Sequence, residues 1–468
     1  MNDTIAAIAT PLIPSAIGIL RLSGPEAADI LDRVFTPFWS GPMGPRPDRT
    51  LVYGALHDRE GQIIDHCLAT VSRAPHSYTG EDTAELQCHG SPAALTLGLE
   101  ALFAAGARQA RPGEFTRRAF LNGKLDLTRT EAVADLIHAE TPAAVRQAAS
   151  QLGGALERAV DGIYGDLTDL CAHFHAVLDY PDEDIEPFET EELSAALAGA
   201  AERLDKLAAT YRRGRLLNEG IPCAIVGLPN AGKSTLFNAL LGYERAIVTP
   251  IPGTTRDTVE ERVGFGGALL RLIDTAGLRD ADDEAERLGV ERSRAAVERA
   301  ELILVVVDSA AELNETNGRE LLELLHLVMD TGKPWIWIDS KCDLSGVWVC
   351  GPGGGAVGNV DTHPSASVCL SAVTGKGMDK LEQAVAALFP QDTDAQTGVL
   401  LTNARQAEAA GRARAAVERG AEALRAGLSP DAVVADVEEA LSALGELTGR
   451  TVSEDVTARI FERFCVGK

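Results

Sequence analysis

Between residues 17 and 119, short apolar runs alternate with alanine-rich stretches. The runs 17–22, 51–56, 67–71 and 84–88 predict strands, and the stretches between them predict helices, an α+β pattern. From Leu125 the period lengthens. Thr128 and Glu131 stand at capping-box spacing, and Val133, Leu136 and Ile137 repeat at helical intervals. Ala, Glu, Leu and Arg then dominate to about Arg215, which predicts long helices. Near Cys223 the pattern changes again: apolar runs at 223–226, 269–273, 302–307, 335–338 and 368–370 alternate with helical segments, as a doubly wound parallel sheet requires. Helix returns after Leu388. Ser429 is placed to cap a helix that begins at Pro430, carries Val433, Val437, Leu441 and Leu444 on one face, and is expected to stop at Gly445. The expected fold class is therefore mixed: an α+β part, then an α/β part with a mostly parallel sheet inserted into a helical part.

Composition narrows the function classes without changing that layout. The chain has 468 residues, a soft prior of about three domains. At 45% hydrophobic and 24% charged residues it reads as ordinary globular protein. The apolar run 302–307 falls far short of the ~20 residues a bilayer span needs. The first residues carry an acid and no basic region before a short apolar stretch, so no secretory leader is expected and the location is expected to be cytoplasmic. Eight cysteines are scattered with no CxxC spacing, which disfavours a disulfide framework and a zinc site of paired Cys and His motifs. The net charge of −26 repels a polyanion, so any contact with nucleic acid has to be local. The glycine-rich run 351–358 reads as a solvated loop.

The chemistry concentrates in the inserted part. Gly227-Leu228-Pro229-Asn230-Ala231-Gly232-Lys233-Ser234 fits G-x4-G-K-S between an expected strand and a helix starting at Thr235. Backbone amides and the helix N-terminus wrap phosphates in such a loop, the lysine reaches the β and γ oxygens, and the Ser234 hydroxyl suits magnesium. Thr255, within Gly253-Thr254-Thr255-Arg256-Asp257, is placed to supply a second magnesium oxygen. Asp274-Thr275-Ala276-Gly277 follows a strand, where an aspartate holds the outer shell of the metal and a glycine amide reads the γ-phosphate. Ser340-Lys341-Cys342-Asp343 also ends a strand. There the Asp343 carboxylate can accept two hydrogen bonds from the guanine N1 and N2 groups, which adenine does not offer. Ser371, Ala372 and Val373 are expected to complete the base pocket with a backbone amide. GTP, rather than ATP, is the expected nucleotide. GTPases commonly carry Asn where this chain has Ser340, and the shorter side chain is expected to lose the amide tying base to phosphate loop, at ~1–2 kcal/mol.

These motifs, with Gly18-Ile19-Leu20-Arg21, Tyr78-Thr79-Gly80-Glu81-Asp82, Arg111-Pro112-Gly113-Glu114-Phe115, the segment 119–127 and the terminal Phe464-Cys465-Val466-Gly467-Lys468, resemble the MnmE (TrmE) family of tRNA-modification GTPases over essentially the whole chain. The resemblance implies an N-terminal folate-binding and dimerisation domain at 1–121, a helical domain at 122–217 and 385–468, and a GTPase domain at 218–384. It implies a one-carbon folate, 5,10-methylenetetrahydrofolate or the analogue 5-formyltetrahydrofolate, held by Arg21, Glu85 and Lys124 with Lys468 approaching. It implies a homodimer joined by the flavoprotein MnmG in a heterotetramer-type complex, acting on the tRNA wobble uridine. It also implies potassium between two GTPase domains, ligated by Asn230, Thr249, Ile251 and Thr254, in place of an arginine finger. Since Leu278 cannot orient water, the resemblance moves catalysis to Glu286. Cys465 is read as a packed residue rather than a nucleophile. The rival reading is a regulatory or ribosome-assembly GTPase that binds RNA through basic clusters such as Arg111, Arg117 and Arg118, or Arg212, Arg213 and Arg215.

Overall fold

The computed structural model describes residues 3–39, 41–179, 190–243, 260–273, 288–311, 315–345, 363–390, 399–428, 430–451, 460–461, 464 and 467. The chain divides into two compact units. One comprises 1–134, 151–205 and 408–468, the other 135–150 and 206–407.

The first unit opens with β1 (Ile5–Ile8), β2 (Ser15–Ser23), α1 (Ala27–Val34), β3 (Phe35–Pro37), β4 (Val52–His57), β5 (Ile63–Ser72), β6 (Thr83–Gly90), α2 (Pro92–Ala104), β7 (Arg108–Gln109) and α3 (Glu114–Leu121). The strands form one seven-stranded sheet in the order β3-β4-β5-β6-β2-β1-β7. Only the short β1–β7 pair is parallel. β6 alternates buried and half-exposed residues, as a sheet with one covered face requires. Leu20, Leu22, Leu56 and Leu86 of its buried side pack with Ile30 and Leu31 of α1 and Leu95 and Leu102 of α2. Gly98 makes that approach possible, because a Cβ there would lie 2.7 Å from Leu20 Cδ1.

Helices follow: α4 (Leu127–His138), α5 (Pro142–Leu152), α6 (Ala155–Asp179), α7 (Thr190–Ala209) and α8 (Tyr211–Glu219). The expected cap at Thr128 falls two residues too late. Asp126 holds the start of α4, accepting hydrogen bonds from the Arg129 amide at 2.6 Å and the Thr128 hydroxyl at 2.9 Å. Ile137, expected on the apolar face, is exposed.

The second unit carries β8 (Ile221–Gly227), α9 (Lys233–Tyr243), β9 (Glu261–Phe265), β10 (Ala268–Leu272), α10 (Leu288–Arg299), β11 (Leu302–Asp308), α11 (Glu315–Asp330), β12 (Trp335–Ser340), α12 (Cys342–Ser345), β13 (Ala366–Cys369) and α13 (Met378–Leu388). Its six-stranded sheet runs β13-β12-β11-β8-β10-β9, parallel except for the β9–β10 hairpin. β8 and β11 are buried along nearly their whole length, which is why they read as continuous apolar runs. The two faces of the sheet have separate cores, one around Leu236, Phe237 and Leu381, the other around Val297, Leu321 and Leu325. The strands expected from apolar runs are all present. β9, whose glycine and charges interrupt any run, was not expected.

The last helices are α14 (Ala404–Arg425) and α15 (Pro430–Thr448). Ser429 lies outside the described residues, as does the run 351–358. Gly445 does not stop α15. It sits inside the helix where a Cβ would come within 2.8 Å of Thr451 Oγ1, and the left-handed turn falls at Gly449 (φ +92°). Tight packing, not termination, is what requires that glycine. Cys67, Cys88, Cys171, Cys223 and Cys342 are buried free thiols. Cys369 is disulfide-bonded, against the expectation from the scattered cysteine spacing.

Candidate functional site: a phosphate loop and an arginine–glutamate pair

The phosphate loop grows directly from β8. Gly227 ends the strand against β11 so closely that a Cβ would lie 2.2 Å from the Val306 carbonyl oxygen. Asn230 and Gly232 then take left-handed backbone conformations, φ +59° and +94°, and α9 begins at Lys233, earlier than the Thr235 start read from the sequence. The first helical hydrogen bond given to a loop carbonyl runs from Leu236 N to Gly232 O at 2.9 Å. The amides ahead of it, at Lys233, Ser234 and Thr235, have no carbonyl within the helix and are the donors an oxyanion would meet.

Lys233 curls over this loop. Its ammonium donates to the carbonyls of Gly227 (3.0 Å) and Leu228 (2.7 Å), and burial lowers its pKa from the usual lysine range. A half-desolvated ammonium resting on neutral carbonyls gains from an anion placed beside it.

The base end is joined to the loop by two side chains. Ser340, buried at the end of β12, puts its hydroxyl 2.6 Å from the Ala231 carbonyl and 3.0 Å from that of Val307. The shorter side chain thus keeps a hydrogen bond to the phosphate-loop backbone, while the amide that would face the base is missing. Lys341 (φ +56°) donates to the Asn230 carbonyl and to Asp308 Oδ2, both at 2.7 Å. Asp308 was missed from sequence because it simply reads as the end of a strand. Asp343 stands exposed in the first turn of α12. The Ser371 hydroxyl accepts from the Thr374 amide at 3.2 Å, and the Ser371 amide donates to the Lys376 carbonyl at 2.9 Å, closing the turn that carries Ala372 and the exposed Val373. Asn230, Ala231, Gly232, Lys233, Ser234, Ser340, Lys341, Asp343 and Ser371 thus share the ends of β8, β12 and β13. Thr249, Ile251, Thr254, Thr255, Asp274, Thr275, Ala276, Gly277 and Glu286 lie outside the described residues.

The expected folate residues form a second cluster. Arg21 on β2 and Glu85 on β6 are directly opposite in register, and Arg21 Nε donates to Glu85 Oε1 at 2.7 Å. Arg21 Nη1 also donates to the Gly467 carbonyl at 3.3 Å, and its guanidinium lies 5.8 Å from the centre of the Phe115 ring. Lys124 donates to the Pro75 carbonyl at 3.0 Å and lies over Gly80. Lys468 is outside the described residues. Beside the cluster, the Tyr78 hydroxyl pairs with Thr116 at 3.0 Å, and burial raises the phenol pKa.

The loop holding Tyr78 and Gly80 is anchored by a charge network that sequence reading missed. Arg118, 1% exposed, donates to Asp3 Oδ1 and to Glu81 Oε2 at 2.9 Å each, and to Glu114 Oε1 at 3.3 Å. Ser23 joins Glu81 at 2.8 Å and Thr79 at 2.7 Å. Read as a chain, Arg118 looked like one of a basic cluster open to RNA. Buried among three carboxylates, it presents no charge to solvent. Arg212 and Arg215, from the other basic cluster, both pair with Glu301 at 2.8 Å.

Sheet order, glycine loop and strand-end Ser340-Lys341-Cys342-Asp343 define a P-loop GTPase domain set within a longer, largely helical chain. Two family descriptions match: "GTP-binding protein TrmE N-terminus" over residues 4–124 and "MnmE helical domain" over 127–465. A tRNA modification GTPase MnmE of Symbiobacterium thermophilum is 44% identical over 467 residues, covering all of both chains. That of Roseiflexus castenholzii is 42% identical, covering all of this chain and 99% of its own. The G domain of the T. maritima FeoB iron transporter, 25% identical over 36% of this chain and 97% of its own, superposes with a TM-score of only 0.24 and bears no weight. This chain belongs to the MnmE family of tRNA modification GTPases.

Proposed function

We propose that the protein is a potassium-dependent GTP hydrolase of tRNA modification. With the flavoprotein MnmG it installs an aminomethyl or carboxymethylaminomethyl group at C5 of the wobble uridine, drawing one carbon from 5,10-methylenetetrahydrofolate. The observation that carries this reading is the convergence of Ser340 and Lys341 onto the carbonyls of Ala231 and Asn230, which couples a base-reading strand end to a phosphate loop.

Lys233 leaves its loop carbonyls for the β and γ oxygens of GTP, and the α9 amides orient the same phosphates. Asp343 takes the guanine N1 and N2 protons. The Ser234 hydroxyl at the start of α9 fits magnesium, and Thr255 is read as the second oxygen; an ion held there would neutralise phosphate charge. Of the potassium set, Asn230 lies among the described residues, its carbonyl accepting from the Lys341 ammonium; potassium held near its side chain would supply the positive charge an arginine finger would bring. Glu286 orients the attacking water through a second water. In the N-terminal part, the Arg21–Glu85 pair offers donors and an acceptor for a pterin edge, and Lys124 a positive charge for the glutamate tail. The functional organisation is read as three parts, 1–121, 122–217 with 385–468, and 218–384, in a cytoplasmic homodimer.

The test is GTP turnover of the full chain in potassium and in sodium at matched ionic strength, with Glu286→Ala alongside. Turnover that is stimulated by potassium, and lost in Glu286→Ala while GTP binding persists, supports the proposal. Equal rates in sodium, or full activity of the variant, overturn it.

A further inference from the structure

We propose that Cys171, His175 and Glu438 form a binding site for a borderline transition-metal ion, zinc above all. Cys171 and His175 are four residues apart on α6, so both project from the same face. Glu438 reaches them from α15, 263 residues away in sequence from His175. Nε2 of His175 lies 3.1 Å from Glu438 Oε1, and the three ligand atoms all fall within 4.8 Å of one another. A tetrahedral zinc shell, with metal–ligand bonds of about 2.0–2.3 Å, needs separations of roughly 3.3–3.8 Å. Small side-chain rotations close that gap, and the backbones are held in place by buried Leu170 on α6 and Val437 on α15.

The chemistry of the set selects the ion. One sulfur, one imidazole nitrogen and one carboxylate oxygen match zinc and cobalt, whereas magnesium and calcium take oxygen shells. The sulfur sits on a buried side chain, while the imidazole and carboxylate are exposed, so a fourth, open position faces solvent, as in sites with three protein ligands and a water. On binding, the Cys171 thiol releases its proton to solvent, the proton that His175 Nε2 donates to Glu438 is exchanged through solvent so that the neutral ring carries its proton on Nδ1, and the freed Nε2, the thiolate and the carboxylate each donate one lone pair. No electron changes hands. The occupied site staples α6 to α15 and is separate from the nucleotide chemistry.

The experiment uses the full-length, untagged, metal-stripped protein titrated with Co2+. A thiolate-to-cobalt charge-transfer band in the near ultraviolet should saturate at one equivalent, yield to Zn2+ and persist in excess Mg2+. Cys171→Ser should abolish the band. His175→Gln and Glu438→Gln should weaken Co2+ binding at least about tenfold, given that losing even an outer-shell partner of a metal site costs about 10- to 100-fold. Zn2+ should raise the Tm of the parent protein and not that of Cys171→Ser. A parent protein without the band, a band that survives Cys171→Ser, or a Glu438→Gln variant that binds cobalt as tightly as the parent would each overturn the assignment. Glu438 is exposed, so its variant decides the matter even if Cys171→Ser does not fold.

Discussion

The phosphate loop and the Arg21–Glu85 cluster are built in opposite ways. Among the described residues, everything in the first that is placed to meet phosphate comes from one short stretch, 227–235, whose conformation is dictated by its own glycines and by the strand it leaves. Among those residues two later strand ends, at Ser340 and Ser371, are added to it. The second is assembled from a strand pair, a loop after α3 and a carbonyl at Gly467, held in register by a buried arginine that touches none of the proposed ligand atoms. A contiguous site advertises itself in the order of its residues. A distributed one is visible only through the network that fixes it, and that network looks, in the sequence, like ordinary surface charge.

Lys233→Ala should damage the contiguous site most. It removes the charge that meets the phosphates, and GTP turnover should fall about 10²–10³-fold, measured at saturating nucleotide. Retained turnover would mean the lysine stays on its carbonyls. At the distributed site, Arg21→Ala deletes a charge-assisted donor worth about 1.5–3 kcal/mol and should weaken binding of 5-formyltetrahydrofolate about 10- to 100-fold by calorimetry. Unchanged affinity would detach the cluster from folate.

Gly445→Ala forces a methyl against Thr451 and should cost about 1–3 kcal/mol of stability in a denaturant titration. A neutral result would restore the idea that Gly445 is only a stop. Ser340→Ala leaves the Ala231 and Val307 carbonyls without their buried donor and should cost about 1–2 kcal/mol while guanine selectivity, set by Asp343, persists. Comparable binding of ATP and GTP by this variant would assign selectivity to Ser340 instead.

The last effect concerns Asp126 and is confined to acid pH. Burial, opposed by its hydrogen bonds to Arg129 and Thr128, raises its carboxyl from 3.8 to about 6. The folded state therefore holds this proton more tightly than the unfolded chain. The stability this group contributes is full below about pH 4 and is lost as pH rises to about 6. Asp126→Asn, also a good cap, should flatten that part of the stability profile with little change in Tm at low pH. A profile identical to the parent's would show that the group does not titrate there.

Much was legible in the linear text. The buried strands β8, β11 and β12 betray themselves by unbroken apolar runs, because a parallel strand covered on both faces has no polar side to show. The phosphate loop is legible because its backbone demands glycine at fixed offsets. Chain order could not decide the meaning of residues whose role depends on what lies opposite. Arg118 became a structural centre only when Asp3, Glu81 and Glu114 closed around it. Ser340 kept its tie to the loop only because the Ala231 carbonyl came within 2.6 Å, and Gly445 stayed helical because Thr451 needed its space. Periodicity and local backbone preference act between near neighbours and are written in sequence; burial, ion pairing and close approach arise between residues far apart, and only the folded arrangement settles them.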